Sequence, residues 1–130
     1  MKNIITRDNI DNLFLRGYLD AALFTEDPNP PGGCDYVQCG RADEMYSAFP
    51  ADFVQQARKD CERFQSDNAH TLECVDDLEQ AGSDFWYDRQ GHGVGARDRG
   101  YTSWIGPALA MAAKKFREVY LELELTNELE

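Results

Sequence analysis

Residues 80–100 constrain the fold more tightly than any other stretch. Gln80-Ala81-Gly82-Ser83-Asp84-Phe85-Trp86-Tyr87-Asp88-Arg89-Gln90 runs directly into Gly91-His92-Gly93-Val94-Gly95-Ala96-Arg97-Asp98-Arg99-Gly100. Three consecutive aromatics favour an extended strand, and Gly91-His92-Gly93 supplies a reversal. Val94 to Arg99 then returns as the partner strand. A second extended segment follows near the C-terminus, where Val119, Leu121, Leu123 and Leu125 alternate with Tyr120, Glu122 and Glu124. Period-two alternation describes a strand with one buried and one wet face.

Helical spacing dominates elsewhere. Ile10, Leu13, Phe14, Gly17, Tyr18, Ala21 and Phe24 define a helix over residues 8–24, with Asp8 as its N-cap. Leu15, Leu19 and Leu23 widen the apolar surface, which suits a central helix. Interior Gly17 costs about 1 kcal/mol against Ala and marks a close packing approach. A second helix is expected over residues 50–66, burying Phe53, Ala57, Cys61 and Phe64. Leu72, Val75 and Leu78 suggest a short helix within residues 67–79. A last one begins at a Thr102 or Ser103 cap and runs through Phe116. Residues 26–42, rich in Pro and Gly, form an irregular loop. The expected fold is one α+β domain over residues 1–130. It has a small antiparallel sheet of about three strands, the hairpin plus the C-terminal strand, packed against about three to four helices.

At 130 residues and 42% hydrophobic content the chain can bury one core. A formal net charge of −11 opposes nucleic-acid binding and favours a basic protein surface as partner. No apolar run of membrane-spanning length and no signal-peptide pattern is present, so a soluble, cytoplasmic protein is expected. Cysteines 34, 39, 61 and 74 read as reduced thiols. Cys34-x4-Cys39 with Cys61, or with His70-x3-Cys74, lacks the tight pairs of a strong zinc site, so no metal or cofactor is expected.

Charge is divided unevenly. Residues 60–80 hold seven acids, Asp60, Glu62, Asp67, Glu73, Asp76, Asp77 and Glu79, against Arg63 alone. Residues 89–117 hold six bases, Arg89, Arg97, Arg99, Lys114, Lys115 and Arg117, against Asp98. The acidic stretch reads as a docking surface or phosphate mimic, joined by Glu122 and Glu124; the plain alternative is that the acidic and basic regions complement each other or are solvated faces. An alternative ligand site gathers Arg89, His92, Asp98 and Arg99 around the glycine hairpin, where backbone N–H groups would bind an anion. His92 with Asp84, Asp88 or Asp98 would make an acid–base pair, but no nucleophile accompanies it. Turn architecture and cross-strand ion pairs explain the same residues without a ligand.

Asp84-Phe85-Trp86, Arg89, Gly91-His92-Gly93-Val94-Gly95 and Asp98-Arg99-Gly100 resemble a motif of a family of small phage proteins. That motif reads Gln-Ala-Gly-His-Asp-Phe-Trp, a spacer, Asn-Gly-His-Gly-Ala-Gly, an aromatic pair and Asp-Arg-Gly. An amphipathic helix and a terminal strand follow it. Asp60-Cys61-Glu62-Arg63-Phe64 resembles its upstream helix, so the similarity spans residues 53–125. Ser83 stands for the family's first His, Gln90 for Asn, and Ala96-Arg97 for the aromatic pair. The resemblance implies phage or mobile-element origin and no particular activity. Together with acidity and small size it leads to the expectation of a non-enzymatic accessory protein in the host cytoplasm. Such a protein would bind and inhibit a host protein, most economically a nucleic-acid-targeting defence complex of the CRISPR or restriction type. The alternatives are a small enzyme or anion-binding domain at the hairpin, and a homodimer formed through the sheet.

Overall fold

The structure is a computed structural model; it describes residues 7–26, 46–91, 95–96, 101 and 104–122. Among these residues the architecture is helical. A short 3-10 turn, Arg7–Asn9, precedes five α-helices: α1 (Leu13–Glu26), α2 (Ala51–Asp67), α3 (Ala69–Leu72), α4 (Leu78–Arg89) and α5 (Ile105–Ala113). The expected antiparallel sheet is not found among the described residues, which corrects the α+β assignment to a mostly helical one there. The alternative of a homodimer formed through the sheet finds no sheet among the described residues.

Helix α1 is the central element. Phe14, Leu15, Tyr18, Leu19, Ala21, Ala22 and Leu23 are all buried, so the helix is covered on most sides. Asn12 caps it, its Oδ1 accepting from Leu15 N–H at 2.9 Å, in place of the expected Asp8. Helix α2 follows the sequence closely and buries Val54, Ala57, Cys61 and Phe64 on one stripe. Asp52 in its first turn suits the positive end of the helix dipole.

The principal correction concerns residues 78–91. Phe85, Trp86 and Tyr87 do not form a strand; they lie in α4. Its buried stripe is Ala81, Phe85, Trp86 and Arg89, spaced by four, five and eight residues from the first. Aromatic β-propensity mostly reflects packing, and here the partners are helices. Phe85 stacks on Phe64 of α2 with ring centroids 4.3 Å apart, and Trp86 meets Tyr18 of α1 edge-on at 5.3 Å. The indole N–H donates to Thr25 Oγ1 at 3.0 Å. Gly91, with φ of 73°, ends the helix just beyond its Gln90 cap rather than turning a hairpin. Of the expected partner strand, Val94 and residues 97–99 lie outside the described residues.

Helices α1 and α4 touch backbone to backbone. A Cβ on Gly17 would overlap the Glu79 carbonyl, and one on Gly82 would overlap the Phe14 carbonyl. Reciprocal glycines therefore let the two helices approach closely enough to bring Tyr18, Phe85 and Trp86 together.

Residues 117–122 keep the expected in-and-out pattern without a ladder. Leu121 is buried at 5% exposure while Tyr120 stands 84% exposed. The Gln90 side chain takes the place of a neighbouring strand: its Nε2 donates to the Val119 carbonyl and its Oε1 accepts from Val119 N–H, both at 2.8 Å. Leu123, Glu124 and Leu125 lie outside the described residues. No helix among the described residues is long and apolar enough to cross a membrane.

Asp77 has a structural task in this framework. Its Oδ1 accepts from Gln80 N–H at 3.0 Å and so caps α4. Asp77→Ala is expected to lower stability by about 1 kcal/mol, read from the urea midpoint. An unchanged midpoint would show that tertiary packing alone holds the start of α4.

Candidate functional site

Arg89 is a densely bonded, buried polar group. Its side chain is 4% exposed and sits where α1, α2, α4 and the C-terminal segment meet. Nη1 donates to Asp60 Oδ2 at 2.8 Å and to Tyr18 Oη at 3.2 Å. Nε and Nη2 both donate to the Arg117 carbonyl, at 2.9 and 2.6 Å. The guanidinium also lies 5.5 Å from the Phe85 ring centre and 5.3 Å from that of Phe116. Its donors are committed to the protein, so Arg89 does not serve an anion as the hairpin site required. His92, Asp98 and Arg99, the other parts of that site, lie outside the described residues.

Two of the three carboxylates read as partners for His92, Asp84 and Asp88, are likewise engaged, and Asp98 lies outside the described residues. Asp84 is 1% exposed and accepts from Gln80 Nε2 at 2.9 Å and from the Tyr101 hydroxyl at 2.8 Å. Asp88 Oδ2 accepts from Ala96 N–H at 3.0 Å, and Gly95 packs so tightly there that a Cβ would strike the carboxylate. Both acids organise the chain beyond α4.

A second polar cluster has no counterpart in the sequence reading. Arg7 makes a bidentate pair with Asp20 and reaches Glu79 at 3.0 Å; Arg16 meets the same Glu79 oxygen at 3.1 Å. The Tyr46 hydroxyl lies 2.6 Å from Asp20 Oδ1 and 3.1 Å from the Arg16 carbonyl. The available signal was Arg16 and Asp20, a polar pair four residues apart on a helix otherwise apolar nearly all round.

Two tyrosines here are shifted. Burial, then the neighbouring Asp20, pushes the Tyr46 phenol well above its ordinary value; burial raises Tyr18 too, against the opposing pull of Arg89. Unfolded tyrosine releases its proton near pH 10, while these two hold theirs in the native state. Above about pH 10 the unfolded state therefore binds fewer protons, and their contribution, complete below that pH, is progressively lost. The urea midpoint is expected to fall as pH rises past about 10, less steeply in Tyr46→Phe. Equal slopes in the two proteins would contradict the shift at Tyr46.

The expected docking acids separate into two groups. Asp60, 14% exposed, and Glu79, 36% exposed, are tied inward to arginines, which removes them from a binding surface. Glu62, Asp67, Glu73, Asp76 and the capping residue Asp77 are exposed, between the C-terminal half of α2 and the start of α4. Arg63, the one basic residue of this stretch, pairs with Asp67 at 3.5 Å. Glu122 is exposed as well, and Glu124 lies outside the described residues.

Cys61 is buried, its thiol pushed well up in pKa first by burial, and Cys74 is exposed. Among the described residues no group of His, Cys, Asp and Glu is arranged to hold a metal ion. Comparison of the chain with protein-family models, curated proteins and solved structures gives no match.

Proposed function

We propose that this protein works as a binding partner rather than a catalyst, presenting carboxylates to a basic surface on a host protein. The observation that carries this reading is the exposed run Glu62, Asp67, Glu73, Asp76 and Asp77, with Arg63 the one lysine or arginine within residues 60–80 and Arg58 and Lys59 one turn before it on α2. Like charges held on helices and a short turn create a negative field that steers and orients a cationic partner. Proteins that handle nucleic acids carry such cationic grooves for phosphate. Taken with the resemblance to phage proteins, the specific form is an acidic inhibitor of a host nucleic-acid-targeting defence complex, acting in the host cytoplasm.

The experiment is affinity capture from host lysate, followed by a cleavage assay on the captured nuclease. The wild-type protein is expected to retain a nucleic-acid-binding complex that elutes as salt rises and to inhibit its cleavage of DNA or RNA. The combined variant Glu62→Lys, Asp67→Lys, Glu73→Lys, Asp76→Lys should lose both properties while keeping its helical circular dichroism. Inhibition that survives this charge reversal rejects the reading.

A further inference from the structure

Between the N-terminal half of α2 and residues 119–122 lies an open groove of about 800 Å3. That volume falls within the range of sites for small ligands and short peptide segments, roughly 300–1,000 Å3. Apolar side chains form part of its lining: Ala57 and Leu121 are buried, as is the Tyr18 ring, and Phe53 is half-buried. Its rim is acidic, with Asp52 on the helix side and Glu122 on the opposite wall, both exposed. A third carboxylate, Asp60, is already occupied by Arg89 at 2.8 Å on one oxygen and by Gln56 at 2.8 Å on the other. Among the described residues no lysine or arginine lines the groove. Among the described lining residues, Asp52 and Glu122 thus carry negative charge that no lining lysine or arginine offsets, Arg89 being spent on Asp60.

The dimensions suit extended chain. Asp52 and Asp60 are eight residues apart on α2, about 12 Å along its axis. Four residues of extended backbone cover about 13 Å, the same length. The geometry points to this groove as the seat of a short basic segment of a partner protein. One Arg or Lys lies between Asp52 and Glu122, and an adjacent apolar side chain rests on Phe53, Ala57 and Leu121. The aliphatic stem of the basic residue can lie along the same apolar side chains while its charge reaches the rim. Tyr120, 84% exposed beside the groove, adds an aromatic face of the kind that anchors protein contacts. This inference rests on the protein-binding role proposed above and adds a groove outside the residues 62–77 surface.

The probe is a fluorescein-labelled eight-residue peptide alternating Arg and Leu, followed by fluorescence anisotropy at moderate salt. Three proteins are compared: wild type, the groove variant Asp52→Asn/Glu122→Gln, and the distant variant Glu73→Gln/Asp76→Asn. Thermal melts verify that all three are folded. The groove variant is expected to bind roughly tenfold more weakly while the distant variant stays within about twofold of wild type. A peptide alternating Arg and Gly should bind more weakly than the Arg–Leu probe. Equal losses in both variants, equal binding of the two peptides, or no binding by wild type would overturn the groove assignment. Captured host protein lost only by the residues 62–76 charge reversal, with the groove variant unaffected, would overturn the groove and leave the docking surface standing. Peptide binding confined to the groove, with inhibition surviving that charge reversal, would support the groove and reject the surface.

Discussion

Replacing Arg89 with alanine is expected to destabilise the protein by about 3–5 kcal/mol, the cost of removing one member of a buried, hydrogen-bonded ion pair. The residue satisfies Asp60, the Tyr18 hydroxyl and the Arg117 carbonyl at once. Its removal leaves Asp60, at 14% exposure, without its cation, and takes away the tie at the Arg117 carbonyl, leaving Gln90 to hold the C-terminal segment at Val119. Domains of this size are typically stable by only about 5–15 kcal/mol, so a large share of the folded population is at stake. Urea denaturation followed by far-ultraviolet circular dichroism measures it. Arg89→Lys should recover little, because an ammonium cannot reproduce the planar fork that grips the Arg117 carbonyl with two N–H groups. A loss below about 1 kcal/mol would place Arg89 among ordinary surface arginines and undo the structural role assigned to it.

The second large effect is expected at the crossing of α1 and α4. Glycine to alanine inside a solvent-exposed helix raises stability by about 1 kcal/mol. At Gly17 and Gly82 the sign should reverse, because the added methyl meets backbone rather than a movable side chain. Gly17→Ala drives into the Glu79 carbonyl, and Gly82→Ala into that of Phe14. Either change must separate the helices, at a cost of about 1–3 kcal/mol or more for overpacking. Because the two contacts lie at one crossing, the double variant should cost less than the sum of the single ones. Once the first methyl has moved the helices apart, the second finds room. Chemical unfolding of the three variants measures this, and a stabilised Gly17→Ala would disprove the backbone contact.

Both effects centre on residues whose roles were partly visible in the sequence. The Gly17 approach was legible because a glycine inside a strongly apolar helix needs a reason, and close packing is the usual one. Its counterpart Gly82 was hidden, since residues 80–90 were read as leading into a strand. The three aromatics Phe85, Trp86 and Tyr87 drew attention to themselves, whereas the deciding pattern was the wider stripe from Ala81 to Arg89 and the Asp77 cap before it. Arg89 carries two readings in the sequence, part of an anion site or one side of an ion pair. Its partners were not legible, because only the fold brings Asp60 and Arg117, 29 and 28 residues away, into reach.

The sequence by itself determined the elements whose evidence is local. These are the apolar periodicity of α1, the amphipathic stripe of α2 with Cys61 inside it, the outline of α5, and the acidic character of the stretch after Asp60. Each follows from residue spacing along one helix, or from a net charge that no fold can change. Tertiary structure decided what depends on partners distant in sequence. It made residues 78–89 a helix because Phe64, Tyr18 and Gly17 offer helical surfaces to pack on. It held Val119 by a glutamine amide in place of a strand, and sorted the acids by whether an arginine stood within reach. Asp60 and Glu79 turned inward to such partners, whereas Glu62, Glu73 and Asp76 remained in water. Charge is written in composition, but exposure is a property of neighbours, and neighbours come from the fold.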